Sequence, residues 1–260
     1  MVIHSRSHRS GPRLGVFALA AGLLLSGCSL FGGRPDTLPP AGKLYEDGER
    51  ELGRGRYDAA REDLRKIVER FPDSSLVPEA RFLIGESYYR EQEYERAIRE
   101  FEAFMSLNPG HRIADLVQYR LARSYFDGMP TLERDQAVTA KAVIELQKLI
   151  KQYPESRYAP DAIVKIEACR LRLAQKELWV AEYYVRQGNW LAAIQRYDVI
   201  LKEYTRTAAA PQALFQKADA LLRLQRTGEA DSALRRLVEQ YPGSEWARRA
   251  KQGQTSLITQ

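Results

Sequence analysis

Two cysteines, three histidines and many interleaved acids and bases are the residues of this 260-residue chain that could do chemistry. Cys28 and Cys169 carry the thiols. His4 and His8 lie near the start, which leaves His111, after Asn108-Pro109-Gly110, as the imidazole of the remaining chain. A zinc or iron site draws on three or four Cys, His or carboxylate ligands, so one His and one spare Cys predict no metal and no other cofactor. The phosphate-cradling GxxxxGK[ST] loop and the GxSxG nucleophile elbow are both missing from the sequence. A Ser–His pair would have to rely on His111 alone. Carboxylates are abundant, but in EYERAIREFE (Glu93–Glu102) they alternate with Arg. That spacing marks a solvated helix face with i,i+4 pairs. An enzyme is not expected.

The elements that carry these residues repeat. RYDAAREDLRKIVERFPDS (Arg56–Ser74) aligns with EYERAIREFEAFMSLNPGH (Glu93–His111), sharing Tyr57/Tyr94, Ala60/Ala97, Leu64/Phe101, Ile67/Phe104 and Pro72/Pro109. Three further copies follow, at Ala142–Leu146–Leu149–Pro154, Ala193–Tyr197–Ile200–Thr205 and Ala230–Leu234–Leu237–Pro242. Twelve residues upstream of the repeated Ala lie Gly48, Gly85, Ala181 and Ala218, with Ala122 in the third copy, displaced by an insertion. Apolar residues four and seven places beyond the Ala share its helical face, and Pro stops the second helix. Small residues upstream suit the point where two helices cross closely. The pattern resembles the tetratricopeptide repeat and predicts an all-α solenoid of about five helical hairpins.

The repeat spacing is uneven. Steps between successive repeated alanines are 37, 45, 51 and 37 residues. An insertion at DGMPTLERDQ (Asp127–Gln136) predicts an exposed loop. The segment from Ala159 to Gly188 has no helix breaker after Pro160; its twenty-eight residues from Pro160 to Gln187 would span about 42 Å at 1.5 Å each. It predicts one long helix, or two nearly continuous ones, joining a three-repeat half (44–158) to a second half (159–260) with two repeats. An evenly pitched solenoid is the alternative.

The first 27 residues are of another kind. Arg6, Arg9 and Arg13 precede an uncharged run, LGVFALAAGLLLS (Leu14–Ser26). A basic stretch before a short apolar run resembles a secretory signal peptide, and the run is shorter than the ~20 residues of a membrane span. Leu25-Ser26-Gly27-Cys28 then resembles the lipobox of bacterial lipoproteins, which implies cleavage before Cys28, lipidation of its thiol and, with Ser29 next, delivery to the outer membrane. Several acyl chains at ~0.8 kcal/mol per buried methylene hold a protein on a bilayer almost permanently. Residues 28–43 add a Gly- and Pro-rich linker. Without the leader, 37 basic residues face 34 acidic ones, a balance that does not suggest nucleic-acid binding. Cys169, in AIVKIEACRLRLA, reads as a small core residue.

Helical repeats offer a groove built from the first helix of each hairpin. Tyr88, Tyr89, Tyr119, Tyr125, Tyr183 and Tyr184 fall on first helices; at least half should be core. Arg81, Tyr89 and Tyr119 are the candidate groove residues, suited to anchoring a peptide or partner loop.

Three segments carry a more specific likeness: HRIADLVQYRLARSYFD (His111–Asp127), DQAVTAKAVIELQKLIKQYPESRYAPDA (Asp135–Ala162) and LRLAQKELWVAEYYVRQGNWLAAIQRY (Leu171–Tyr197). They resemble the BamD family, also called ComL or YfiO, lipoproteins of the outer-membrane β-barrel assembly machinery. The resemblance implies a lipid-anchored scaffold on the periplasmic face of the outer membrane. Its implied partners are the POTRA region of a BamA-type barrel protein, other assembly lipoproteins and unfolded barrel precursors. Arg196 matches a family arginine at the BamA contact; read alone, it is an ordinary exposed helix charge. Two departures stand out: a shorter insertion after Asp127, and Thr205 where Pro is usual. The alternative within the same class is another periplasmic repeat lipoprotein coordinating cell division or Tol-type complexes, although no heptad run precedes Leu44. A peptidoglycan-active enzyme is the alternative of another class.

Overall fold

A computed structural model describes the chain from residue 38 to residue 258, with side chains through Gln252. Cys28 and the leader lie outside the described residues. The described chain folds as eleven helices: α1 (Ala41–Gly53), α2 (Tyr57–Arg70), α3 (Val77–Arg90), α4 (Tyr94–Leu107), α5 (Ala114–Asp127), α6 (Ala137–Gln152), α7 (Ala159–Arg186), α8 (Trp190–Glu203), α9 (Ala209–Arg223), α10 (Thr227–Gln240) and α11 (Glu245–Ile258). No strand occurs among the described residues. Helix α1 begins three residues before the expected boundary at Leu44, because the Pro40 carbonyl accepts from Lys43 and Leu44 N–H and opens the first turn.

The repeat pattern becomes five hairpins, α1–α2, α3–α4, α5–α6, α7–α8 and α9–α10, and each second helix packs against the next first helix. Ala60, Ala97, Ala142, Ala193 and Ala230 are all fully buried, as are Leu64, Phe101 and Leu146. Leu234, in the last copy, is only partly covered. The upstream small residues sit where the helices cross. A Cβ on Gly48 would lie 2.8 Å from Leu64 Cγ, and one on Gly85 would lie 2.6 Å from Phe101 Cε1. Such separations leave room for glycine only. First helices also approach one another along the array, whereas among the described residues no two successive second helices do.

Four hairpin turns close identically. Gly55, Gln92, Gly188 and Gln225 take left-handed φ of 74°, 62°, 70° and 59°. The next N–H reaches back to the first helix, from Arg56 to Glu51, Glu93 to Tyr88, Asn189 to Tyr184 and Arg226 to Leu221, each at 2.9 Å. This is the six-to-one bond of the Schellman motif, which satisfies a carbonyl that the helix end would orphan. The second helices end alike too: Phe71, Asn108, Tyr153, Tyr204 and Tyr241 each donate to the carbonyl four residues earlier. Thr205 changes nothing in that ending, since α8 stops at Glu203 with the same Tyr204 bond.

The third turn differs. The inserted loop is exposed at Thr131 and Glu133–Asp135, as expected, but it is strapped to α7. Arg172 donates to the Pro130 carbonyl at 2.6 Å, and Lys176 to that of Leu132 at 2.8 Å.

Three cores result. The first gathers α1–α4 with Val117 and Leu121 of α5. In the second, Tyr119, Ala122 and α6 pack on Ala162, Ile166 and Cys169 of α7. The third starts at Ala174 on the same helix and runs to Ala247 and Ala250 of α11. Thus α7 is one continuous 28-residue helix serving two cores. Cys169 is fully buried, and burial pushes its thiol up to about 11, so it is protonated and unreactive at neutral pH. Helix α11, not anticipated from the repeat pattern, covers the last hairpin, with Trp246 against Phe215 at 5.3 Å.

Candidate partner-binding surfaces

On the first-helix layer, α3, α5 and α7 bring together a line of tyrosines, arginines and aspartates. Their helical spacing explains why: Tyr119, Arg123 and Asp127 follow at i, i+4 and i+8 on α5, and Asp161 and Lys165 at i, i+4 on α7. Tyr89 donates its hydroxyl to Asp127. Arg123 meets the same Asp127 oxygen through Nε at 3.1 Å and Nη2 at 3.0 Å, and donates to the Tyr119 hydroxyl at 3.3 Å. Tyr119 in turn donates to Asp161 at 2.6 Å, and Lys165 pairs with that carboxylate at 3.2 Å. The Tyr119 ring stacks on Tyr158, centroids 4.5 Å apart. Beside this line, Arg120 lies 5.3 Å above the Tyr89 ring and pairs at 2.8 Å with Glu86, a buried carboxylate of α3.

The electrostatics fix who donates. Burial first, then Asp127, raises the Tyr89 pKa; burial and Asp161 do the same for Tyr119, so both hydroxyls stay protonated. Burial alone would raise Asp161, but bonds from Tyr119 and Lys165 outweigh it and hold the carboxyl below its ordinary value. For Arg123, burial opposes the charge, and Tyr119 and Asp127 more than restore it. The result is a chain of fixed donors and charges with half-buried edges, suited to recognition by hydrogen bonding and cation–π contact.

Of the candidate groove residues, Tyr89 is half-buried and Tyr119 is only 7% exposed, its ring in the core. Tyr119 therefore meets a partner at most through its hydroxyl edge. Arg81 shares no hydrogen bond, ion pair or ring contact with this line among the described residues. It is half-buried, and its Nε is buried without a hydrogen-bond partner among the described residues. Arg120, Arg123, Asp127, Tyr158 and Asp161 were missed in the sequence; the i, i+4 spacing on α5 and α7 was the available signal, masked by charge pairs of the same spacing elsewhere.

Arg196 occupies a second surface, on α8. Its side chain is 41% exposed, and a single contact, Nη1 to Glu177 Oε2 of α7 at 3.3 Å, orients it. The rest of the guanidinium has no partner among the described residues. Leu191, 55% exposed, precedes it on the same helix. Among the described residues no group of His, Cys, Asp and Glu could hold a metal ion, and no helix is long and apolar enough to cross a membrane.

Residues 39–233 match the model of a family described as YfiO, outer membrane lipoprotein. The chain belongs to the YfiO family. Curated relatives match over most of their own length. The outer membrane protein assembly factor BamD of Caulobacter vibrioides is 29% identical over 244 residues, covering 93% of this chain and 80% of that one. The BamD of Vibrio cholerae is 30% identical over 222 residues (81% and 90%), and that of Rickettsia prowazekii 28% over 228 (88% and 91%). In this YfiO member the hairpins, their caps and the buried alanines form the frame, and Arg196 and the α3–α5–α7 line are side chains set on it.

Proposed function

We propose that this YfiO-family chain is a lipid-anchored scaffold of the outer-membrane β-barrel assembly machinery, on the periplasmic face, with no catalytic role of its own. Cys28, at the end of the lipobox-like LSGC, carries the lipid. The α8 surface around Arg196 docks the POTRA region of a BamA-type barrel protein, and the first-helix layer of the amino-terminal repeats receives unfolded barrel precursors. Other assembly lipoproteins join the same complex. The family match over residues 39–233, with relatives named as outer membrane protein assembly factors, carries this reading.

The physical support is local. A guanidinium with one 3.3 Å partner and a free edge is ready for a bidentate carboxylate. The half-buried tyrosine and arginine edges of the line suit an aromatic ring of an extended segment. Arg196→Glu places a second carboxylate beside Glu177 and should reduce co-purification of the BamA-type partner by at least about tenfold, with helicity unchanged by circular dichroism. Undiminished co-purification would overturn the reading of this surface.

A further inference from the structure

The first half of one first helix lacks a second helix of its own. The second half of α7 pairs with α8 through Leu178 and Ala181. Its first half packs on α6, and no helix follows to cover its outer side before the chain has run on to Arg186. That side is apolar: Ile163 is 54% and Val164 68% exposed. Between α6 and α7 lies a furrow of about 300 Å³ whose apolar wall is Ile150, Ile163 and Ile166. Glu167 and Arg170 also line a neighbouring polar hollow of about 260 Å³ at the α8–α9 turn, bordered by Tyr204 and Arg206.

The repeat register says what cannot fill it. Seven residues after Pro78 stands Gly85, and seven after Pro211 stands Ala218, the small residues that admit a crossing helix. Seven after Pro160 stands Glu167, with an exposed side chain. A helix crossing at hairpin distance would collide with it, so the occupant is a slimmer, extended segment. Charge narrows it further. Glu167 is engaged with Arg170 at 2.8 Å and Glu203 with Lys202 at 3.1 Å. Lys151, which lines the furrow, and Arg206, which lines the neighbouring hollow, have no carboxylate partner among the described residues.

We infer that the furrow over the first half of α7, between the Ile150–Ile163–Ile166 wall and the cations Lys151 and Arg206, docks an extended acidic and apolar segment of a partner protein. An apolar side chain seats on the isoleucines, and flanking carboxylates meet the two cations. The inference stands on different residues from the Arg196 surface, and either can fail without the other.

The test uses two fluorescent peptides of about twelve residues with the same Phe and Leu positions, one flanked by Glu and one by Lys, titrated by anisotropy against the purified full chain. The acidic peptide should bind at least about tenfold more tightly, weakening as salt screens the cations. Ile163→Glu, at an exposed position that leaves the cores intact, should remove that binding. Lys151→Glu with Arg206→Glu should reverse the preference. Equal affinity for both peptides, binding by neither, or indifference to Ile163→Glu overturns the inference. Phosphatidylglycerol vesicles captured through Ile163 would reassign the furrow to a lipid surface, and concentration-dependent self-association lost in Ile163→Glu would reassign it to a second copy.

Discussion

The Tyr119 hydroxyl and the Asp161 carboxylate meet at 2.6 Å, tying α5 to the start of α7 across 42 positions of sequence. Removing the hydroxyl leaves Asp161 with Lys165 alone and takes an acceptor from Arg123. Tyr119→Phe, which keeps the stack on Tyr158, should cost about 1 kcal/mol. That is a fall of roughly 2–4 °C in the thermal midpoint for a chain of this size.

Gly85→Ala should be more damaging than its size suggests. The new methyl meets the fully buried Phe101 ring at 2.6 Å, and the ring has nowhere to go. Overpacking of this kind costs roughly 1–3 kcal/mol, to be read as a lowered urea midpoint. The same substitution at Gly228, whose Cβ would meet nothing within 4 Å, should be neutral or slightly stabilising.

Two turns carry glutamine where the backbone favours glycine. A left-handed non-glycine residue costs roughly 1–2 kcal/mol, while glycine loses about 0.5–1 kcal/mol more backbone entropy on folding. The first effect wins. Gln92→Gly and Gln225→Gly, both at exposed side chains, should each stabilise by about 0.5 kcal/mol, measured as raised urea midpoints.

Cys28→Ala removes the only thiol at the end of the leader. The chain should shift from the membrane fraction to the soluble fraction on cell fractionation and lose palmitate labelling. Full membrane retention would mean that something other than an acyl chain holds it.

Much of this architecture was legible because it is periodic. Ala60, Leu64 and Ile67 announce one helical face, and the same triplet returns at 97, 142, 193 and 230, so the cores could be read residue by residue. Gly48 and Gly85 were legible as close crossings for the same reason. The α3–α5–α7 line was not. Its aspartates and arginines have the spacing of every solvated helix face, and only tertiary packing decides that Asp127 turns toward Tyr89 while Glu95 stays in water. The inserted loop was legible as an interruption, but its attachment to Arg172 and Lys176 depends on side chains about forty residues away. Helix α11 lies beyond the last repeat, where periodicity has nothing to compare.

Helix α7 gives the two cores a common beam with no joint in it. Reorienting one core against the other means flexing some 42 Å of hydrogen-bonded backbone, not swinging about a loop, and the Pro130 and Leu132 clasps brace the beam near its middle. A load taken up at the amino-terminal hairpins would then reach the Arg196 face as a small elastic tilt. Signals between the two ends would be graded like a spring rather than thrown like a switch.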